Sequence, residues 1–155
     1  MKTTGNTIVV TGGGSGIGLA LAQRWHDAGN SVIVTGRNAA KLDAAIAGRA
    51  DMHAMALDMT DPAAITAFAA EIVAKFPALN ILVNNAGVMM YEAAGAKRDL
   101  TDAETTVVTN LLGPIRLIDA LVDHLAAQDD AAIVNVTSGL AFVPFPKAPT
   151  YSATK

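Results

Sequence analysis

Tyr151 and Lys155 stand four residues apart in the stretch YSATK, so on a helix they share one face. A tyrosine hydroxyl, with an unperturbed pKa of about 10, exchanges protons poorly near neutrality. Lowering that value by ~3 units takes about 4 kcal/mol of preferential stabilisation of the phenolate. One ammonium ~4 Å away supplies about that much at an effective dielectric of ~20. The pair therefore has the makings of an acid–base group for a reacting oxygen. Thiol and thiolate–metal chemistry are excluded, because the chain has no cysteine. His26, His53 and His124 are scattered, with no carboxylate or second histidine at ligand spacing, so no metal is expected.

Such a pair needs a scaffold. The chain has 155 residues, enough for one domain with a core, expected to span residues 1–155. Hydrophobic residues make up 52% and aromatics only 5%, which suits strands buried on both faces under alanine-rich helices. Short apolar runs alternate with helix-patterned segments, as in βαβ units of an α/β parallel sheet. Strands are expected at Thr7 to Thr11, Ser31 to Thr35, around Met52 to Leu57, Asn80 to Asn84 and Ala131 to Ser138. Helices are expected from about Gly16 to Ala28 and Ala39 to Ala47, and from Asp61-Pro62, where Ile65, Phe68, Ile72 and Phe76 mark a buried stripe. A long helix from about Asp102 to Ala127 carries Val108, Leu111, Ile115, Ile118, Val122 and Leu125 at three-four spacing, a stripe expected to face the sheet. Leu117 and Leu121 fall off that stripe and give the helix a second apolar face.

The net charge is −3 with no basic run, which argues against nucleic acid as a partner. The N-terminal apolar run is too short for a signal peptide, and no stretch approaches membrane-span length. A soluble cytoplasmic protein is the expectation.

Between the first strand and the first helix lies TGGGSGIG, Thr11 to Gly18. Gly12 permits a tight turn, Gly16 lets backbone N–H groups approach a pyrophosphate, and Gly18 allows close packing of the helix on the strand. The helix N-terminus adds partial positive charge under the phosphates. A flexible loop capping a helix is the plain alternative, and the strand–loop–helix context weighs against it. The spacing is G-x-x-x-G-x-G, and NNAG (Asn84 to Gly87) follows the fourth strand. With these motifs the chain resembles the short-chain dehydrogenase/reductases over nearly all of Thr7 to Lys155.

The resemblance implies a doubly wound Rossmann sheet of order 3-2-1-4-5 and an NAD(P)(H)-dependent oxidoreductase. Its substrate would be a small-molecule carbonyl or secondary alcohol. Cofactor contacts carry over to Thr11, Gly12, Gly14, Ser15, Gly16, Ile17, Gly18, Asn85, Ala86 and Gly87, together with Tyr151 and Lys155. The acid expected after the second strand is missing: VTGRN places Gly36 there and Arg37 next. A guanidinium pairs with a phosphate and an absent carboxylate removes repulsion, so NADP(H) is favoured over NAD(H). Ser15 stands at a loop position where other NADP-preferring relatives carry a basic residue. Asp58 matches the family's adenine contact, with a carboxylate in a surface turn as the alternative.

Ser138, Tyr151 and Lys155 match the family's catalytic set, and Asn110 in VVTNLLGP matches its fourth member. Tyr151 would act as general acid in reduction and base in oxidation, tuned by Lys155, which also holds the nicotinamide ribose. Ser138 would fix the substrate oxygen. Asn110 would interrupt the long helix, near Gly113-Pro114, and hold a water relaying protons to Lys155. Singly, each has a plain reading: a strand-ending serine, a buried amide, a packed ring. Their order after the two loops favours the site. Trp25, in line with Ile17 and Leu21, reads as core or core edge. Met89, Met90, Tyr91, Phe142 and Phe145 either line an apolar pocket or pack as core.

Family members continue well beyond the Tyr/Lys motif, completing that helix, adding strands and supplying much of the substrate pocket. The family's C-terminal part is therefore expected to be missing here, which exposes the fifth strand as an edge. Two readings follow: the N-terminal part of a working reductase, or a nucleotide-binding or interaction module without efficient catalysis. Relatives form dimers or tetramers, so a homo-oligomer is expected, with Leu117 and Leu121 as weak support.

Overall fold

The computed structural model describes residues 2–155. Five strands form one parallel sheet in the order β3-β2-β1-β4-β5, as the resemblance implies. They are β1 (Thr7–Thr11), β2 (Ser31–Gly36), β3 (Met52–Ala56), β4 (Leu79–Asn84) and β5 (Ala132–Asn135). Because side chains alternate along a strand, the continuous apolar runs divide between two cores. Val9, Ile33 and Leu82 face one side; Ile8, Val10, Val32, Val34, Ile81 and Val83 face the other. Helices α1 (Gly16–Asp27) and α2 (Ala39–Ile46) cover the second side with Ala22, Leu42 and Ala45.

On the first side lies α3 (Pro62–Lys75). Asp61 caps it by accepting from the backbone N–H groups of Ala63 and Ala64 at 2.8 and 3.2 Å, and Pro62 opens it, as the sequence leads one to expect. Ile65, Phe68 and Ile72 are buried, with Phe76 packed against them. On α1 the expected Ile17–Leu21–Trp25 line does not hold: Trp25 and Leu19 pack on the core, while Ile17 is 67% exposed. Gly18 and Ala22 are the residues that α1 turns inward, because only small side chains fit where it lies closest to the turn and sheet.

The long helix departs further from expectation. It runs as α4 (Thr101–Val107), a π turn (Val108–Leu112) and α5 (Gly113–Ala126). A π turn inserts one residue and so rotates the faces that follow. The inward line is Thr106, Asn110, Gly113, Leu117, Leu121 and Leu125, all buried. Gly113 anchors it, since a Cβ there would come within 2.7 Å of the Met59 carbonyl oxygen. From Gly113 the four-residue spacing leads to Leu117, Leu121 and Leu125 against α3 and β4. The expected stripe is thus divided: Leu125 is core and Ile118 packs against it, while Leu111, Ile115 and Val122 lie on the outer face, 41%, 53% and 42% exposed. Leu117 and Leu121 are core and give no support to an oligomer. Within this Thr101–Ala126 run an 18-residue stretch reaches a mean hydropathy of 1.3, which makes the run also long and apolar enough to cross a membrane, contrary to the expectation that no stretch approaches that length. Its buried leucines are those of a helix packed on a sheet. Strand β5 is shorter than expected and forms one sheet edge, with Ile133 39% exposed.

The two leucine faces should respond differently to truncation. Leu121→Ala should cost about 2–5 kcal/mol in urea unfolding, and Leu111→Ala about 0.5 kcal/mol or less. Equal losses would contradict the placement of the π turn.

Candidate active site

In a sheet of this order the strand sequence reverses between β1 and β4, and their carboxyl ends flank the crevice where such sheets hold ligands. Thr11 joins the two ends. Fully buried, its hydroxyl donates to the Val83 carbonyl at 3.3 Å and accepts from the backbone N–H groups of Asn85 and Ala86, each at 3.0 Å. The Asn85 side-chain amide donates back to the carbonyls of Thr11 and Gly12 at 2.9 and 3.4 Å. Thr11 and Asn85 thus shape the crevice from beneath.

The glycine turn lies across this junction. Gly12 has φ +66°, a conformation that favours glycine, and a Cβ there would meet the Ala86 backbone at 3.0 Å. Gly18 is pressed against the Gly12 carbonyl and the Asn85 amide, so its close packing is on the turn itself, a finer placement than the strand expected of it. Gly13, which sequence reasoning did not single out, is equally confined: a Cβ would lie 2.8 Å from Val34. At Gly16 a Cβ would meet nothing within 4 Å, which leaves open space over the start of α1.

A cavity of about 500 Å³ opens above the turn. Its wall includes Gly12, Gly14, Ser15, Ile17 and Gly18, then Arg37 and Asp58, then Asn85 to Gly87, and finally Tyr151 and Lys155. Residues far apart in the sequence thus share one surface. Arg37 is exposed there and makes no ion pair among the described residues. Asp58 accepts from the Thr60 backbone N–H and hydroxyl at 2.9 and 2.8 Å. The backbone bond, against the cost of burial and with smaller help from the hydroxyl and Arg37, holds its carboxyl below the usual range.

Helix α6 (Pro149–Thr154) carries Tyr151, and Lys155 follows it. The Lys155 ammonium lies 6.0 Å from the centre of the Tyr151 ring and donates to the Val136 carbonyl at 2.8 Å. Burial pushes its pKa below the usual lysine value. Desolvation therefore works against the cation, and the Val136 carbonyl works for it.

Asn110 sits in the π turn, behind the cavity wall rather than on it. Its Oδ1 accepts from the Val88 N–H at 2.8 Å; its Nδ2 donates to the Val88 carbonyl at 2.9 Å and to the Thr154 hydroxyl at 3.2 Å. Gly87 leaves room for this, since a Cβ there would stand 3.2 Å from Asn110 Oδ1 and 3.5 Å from Lys155 Nζ. Ser138 also lies off the wall, its Oγ accepting from the Leu140 N–H at 3.2 Å. Of the apolar candidates, Met89 lines the cavity, Tyr91 and Phe145 meet edge to face at 6.3 Å, and Phe142 is 81% exposed. None of the described His, Asp and Glu residues form a metal-binding cluster.

Sequence reasoning missed Thr154, which ties α6 to the π turn, and Glu92, whose carboxylate accepts from Thr150. Neither belongs to a spaced motif, and both pairings depend on contacts distant in the chain.

A family model described as short chain dehydrogenase matches residues 6–155. The chain belongs to the short-chain dehydrogenase family. It is 40% identical to the Bacillus subtilis uncharacterized oxidoreductase DltE, over 100% of this chain and 62% of that protein. It is 37% identical to the serine 3-dehydrogenase of Agrobacterium fabrum, over 96% of this chain and 60% of that protein. Among solved structures, an actinorhodin polyketide ketoreductase with NADPH superposes with a TM-score of 0.88 at 26% identity, covering 99% of this chain and 60% of that one. The chain thus spans about three fifths of the length of these relatives.

Thr11→Val should leave the Asn85 and Ala86 N–H groups without their acceptor at a buried site. Unpaired buried donors cost roughly 1–3 kcal/mol each, so a loss above ~2 kcal/mol is expected in chemical denaturation. A loss below ~0.5 kcal/mol would contradict the bridging role.

Proposed function

We propose that the protein binds NADP(H) in the cavity above the glycine turn and interconverts a small carbonyl compound and its alcohol. One observation carries the reading: the glycine turn, Arg37 and the Tyr151–Lys155 pair share the wall of a single cavity. The fit is supported by the open space at Gly16, where the start of α1 can receive a pyrophosphate on its N–H groups. When bound, the cofactor supplies or accepts the hydride at the substrate carbon.

The chain's own residues handle position and protons. Arg37, without an ion pair among the described residues, receives the 2′-phosphate. Asp58 receives the adenine edge. Asn85 and Thr11 hold the crevice to shape, with Ala86 and Gly87 along its floor. Tyr151 gives a proton to the substrate oxygen in reduction and takes it back in oxidation. Lys155 lowers the phenol's pKa and holds the ribose near it. Ser138, once its Oγ turns from the Leu140 N–H, donates to the substrate oxygen. Asn110 fixes Val88 and Thr154, and its Oδ1 keeps a second lone pair for a water that relays protons to Lys155. Reductase names among the relatives, such as the ketoreductase with NADPH, agree with this direction of chemistry. A homo-oligomer in the cytoplasm completes the proposal, with the exposed Leu111, Ile115 and Val122 as an apolar face for a second copy.

In the intact protein, a panel of small ketones with NADPH should show turnover, and Tyr151→Phe should lower kcat by about 100-fold or more while NADPH still binds. Retained turnover in that variant would overturn the role of Tyr151. NADPH should bind at least about tenfold more tightly than NADH, and Arg37→Ser should remove the difference. Tighter NADH binding by the wild type would overturn the cofactor assignment.

A further inference from the structure

Helix α6 (Pro149–Thr154) carries Tyr151, whose hydroxyl must be held in place for proton transfer. At its far end Thr154 and Lys155 are bonded to Asn110 and the Val136 carbonyl. At its near end the partner is Glu92, from the irregular segment after β4. The Glu92 side chain is 3% exposed. Its Oε1 accepts from the Thr150 backbone N–H at 3.1 Å, and its Oε2 accepts from the Thr150 hydroxyl at 2.8 Å and from the Arg98 guanidinium at 2.7 Å. The Glu92 backbone N–H donates to the Lys147 carbonyl at 2.8 Å, so the two segments are pinned beside each other.

We propose that Glu92 is a positioning residue for Tyr151, acting through Thr150, its neighbour in the chain. Burying a carboxylate is costly unless several donors meet it. Here every donor is either the first turn of α6 or Arg98, which balances the charge. Burial pushes the Glu92 carboxyl up, but the Thr150 hydroxyl, Arg98 and the Thr150 N–H outweigh it and hold the group below its usual range. The clamp therefore stays ionised at neutral pH. Its segment also carries Val88, bonded to Asn110, and Met89 on the cavity wall. One short segment thus reaches α6 at Thr150 directly and at Thr154 through Asn110, and places Met89 on the cavity wall.

The inference rests on the reading of Tyr151 as proton donor, and the test separates the two. In the intact protein, with NADPH and the best ketone of the panel, Glu92→Ala should lower kcat about tenfold or more. The NADPH dissociation constant and the ketone KM should stay within about twofold. Glu92→Gln, which keeps an acceptor for the Thr150 N–H, should recover at least about a third of the wild-type kcat. Glu92→Ala combined with Thr150→Val should be no slower than Glu92→Ala alone, because both act on one contact. If Glu92→Ala does not fold, Thr150→Val carries the test, with kcat reduced and NADPH binding kept. Wild-type kcat in Glu92→Ala, or additive losses in the double variant, would overturn the positioning role while an inactive Tyr151→Phe left the functional reading standing. Full turnover in Tyr151→Phe would overturn both.

Discussion

The junction beneath the glycine turn is the constraint on which the site depends. Thr11 and Asn85, from the ends of neighbouring parallel strands, exchange bonds that fix how far β1 and β4 stand apart where they leave the sheet. The turn can cross that gap only with glycine at its tightest points, because the Asn85 amide and the Ala86 backbone already fill the space a Cβ would take. Once the turn is fixed, the start of α1 faces the crevice, with Ile17 and Gly18 on the cavity wall.

The opposite wall is built by a second device. The π turn at Val108–Leu112 interrupts a helix that would otherwise present a smooth face, and it directs Asn110 inward. Asn110 then spends its amide on the Val88 backbone and the Thr154 hydroxyl, linking the segment after β4 to α6. The wall that holds Tyr151 and Lys155 is thus cross-linked side chain to backbone.

Much of this was legible in the sequence, and what failed has a physical cause. Apolar runs separated by capped helices located the strands closely, because parallel strands buried on both faces leave few alternatives. The glycine spacing and NNAG pointed to the crevice because their residue types answer steric demands that few others meet. The face of the long helix was read only in part: Ile118 and Leu125 do face the core, but α5 carries two apolar faces that a three-four count cannot rank, and the π turn before it breaks the count from Val108 onward. Asn110 and Gly113, polar or without a side chain, line the inner face, where apolar counting does not look. Glu92 was invisible for another reason: its partners, Arg98 and Thr150, are brought to it only by the fold.

The proposed function stands or falls on whether a nicotinamide dinucleotide binds in the crevice between the ends of β1 and β4. Backbone amide NMR during an NADPH titration tests it most directly. The expected result is saturable shifts concentrated at Gly12 to Gly18, Arg37, Asn85 to Gly87 and Lys155, with the far ends of the strands near Asn6 and Asn30 unmoved. Shifts scattered over the outer face of α5, or none at saturating NADPH, would contradict it.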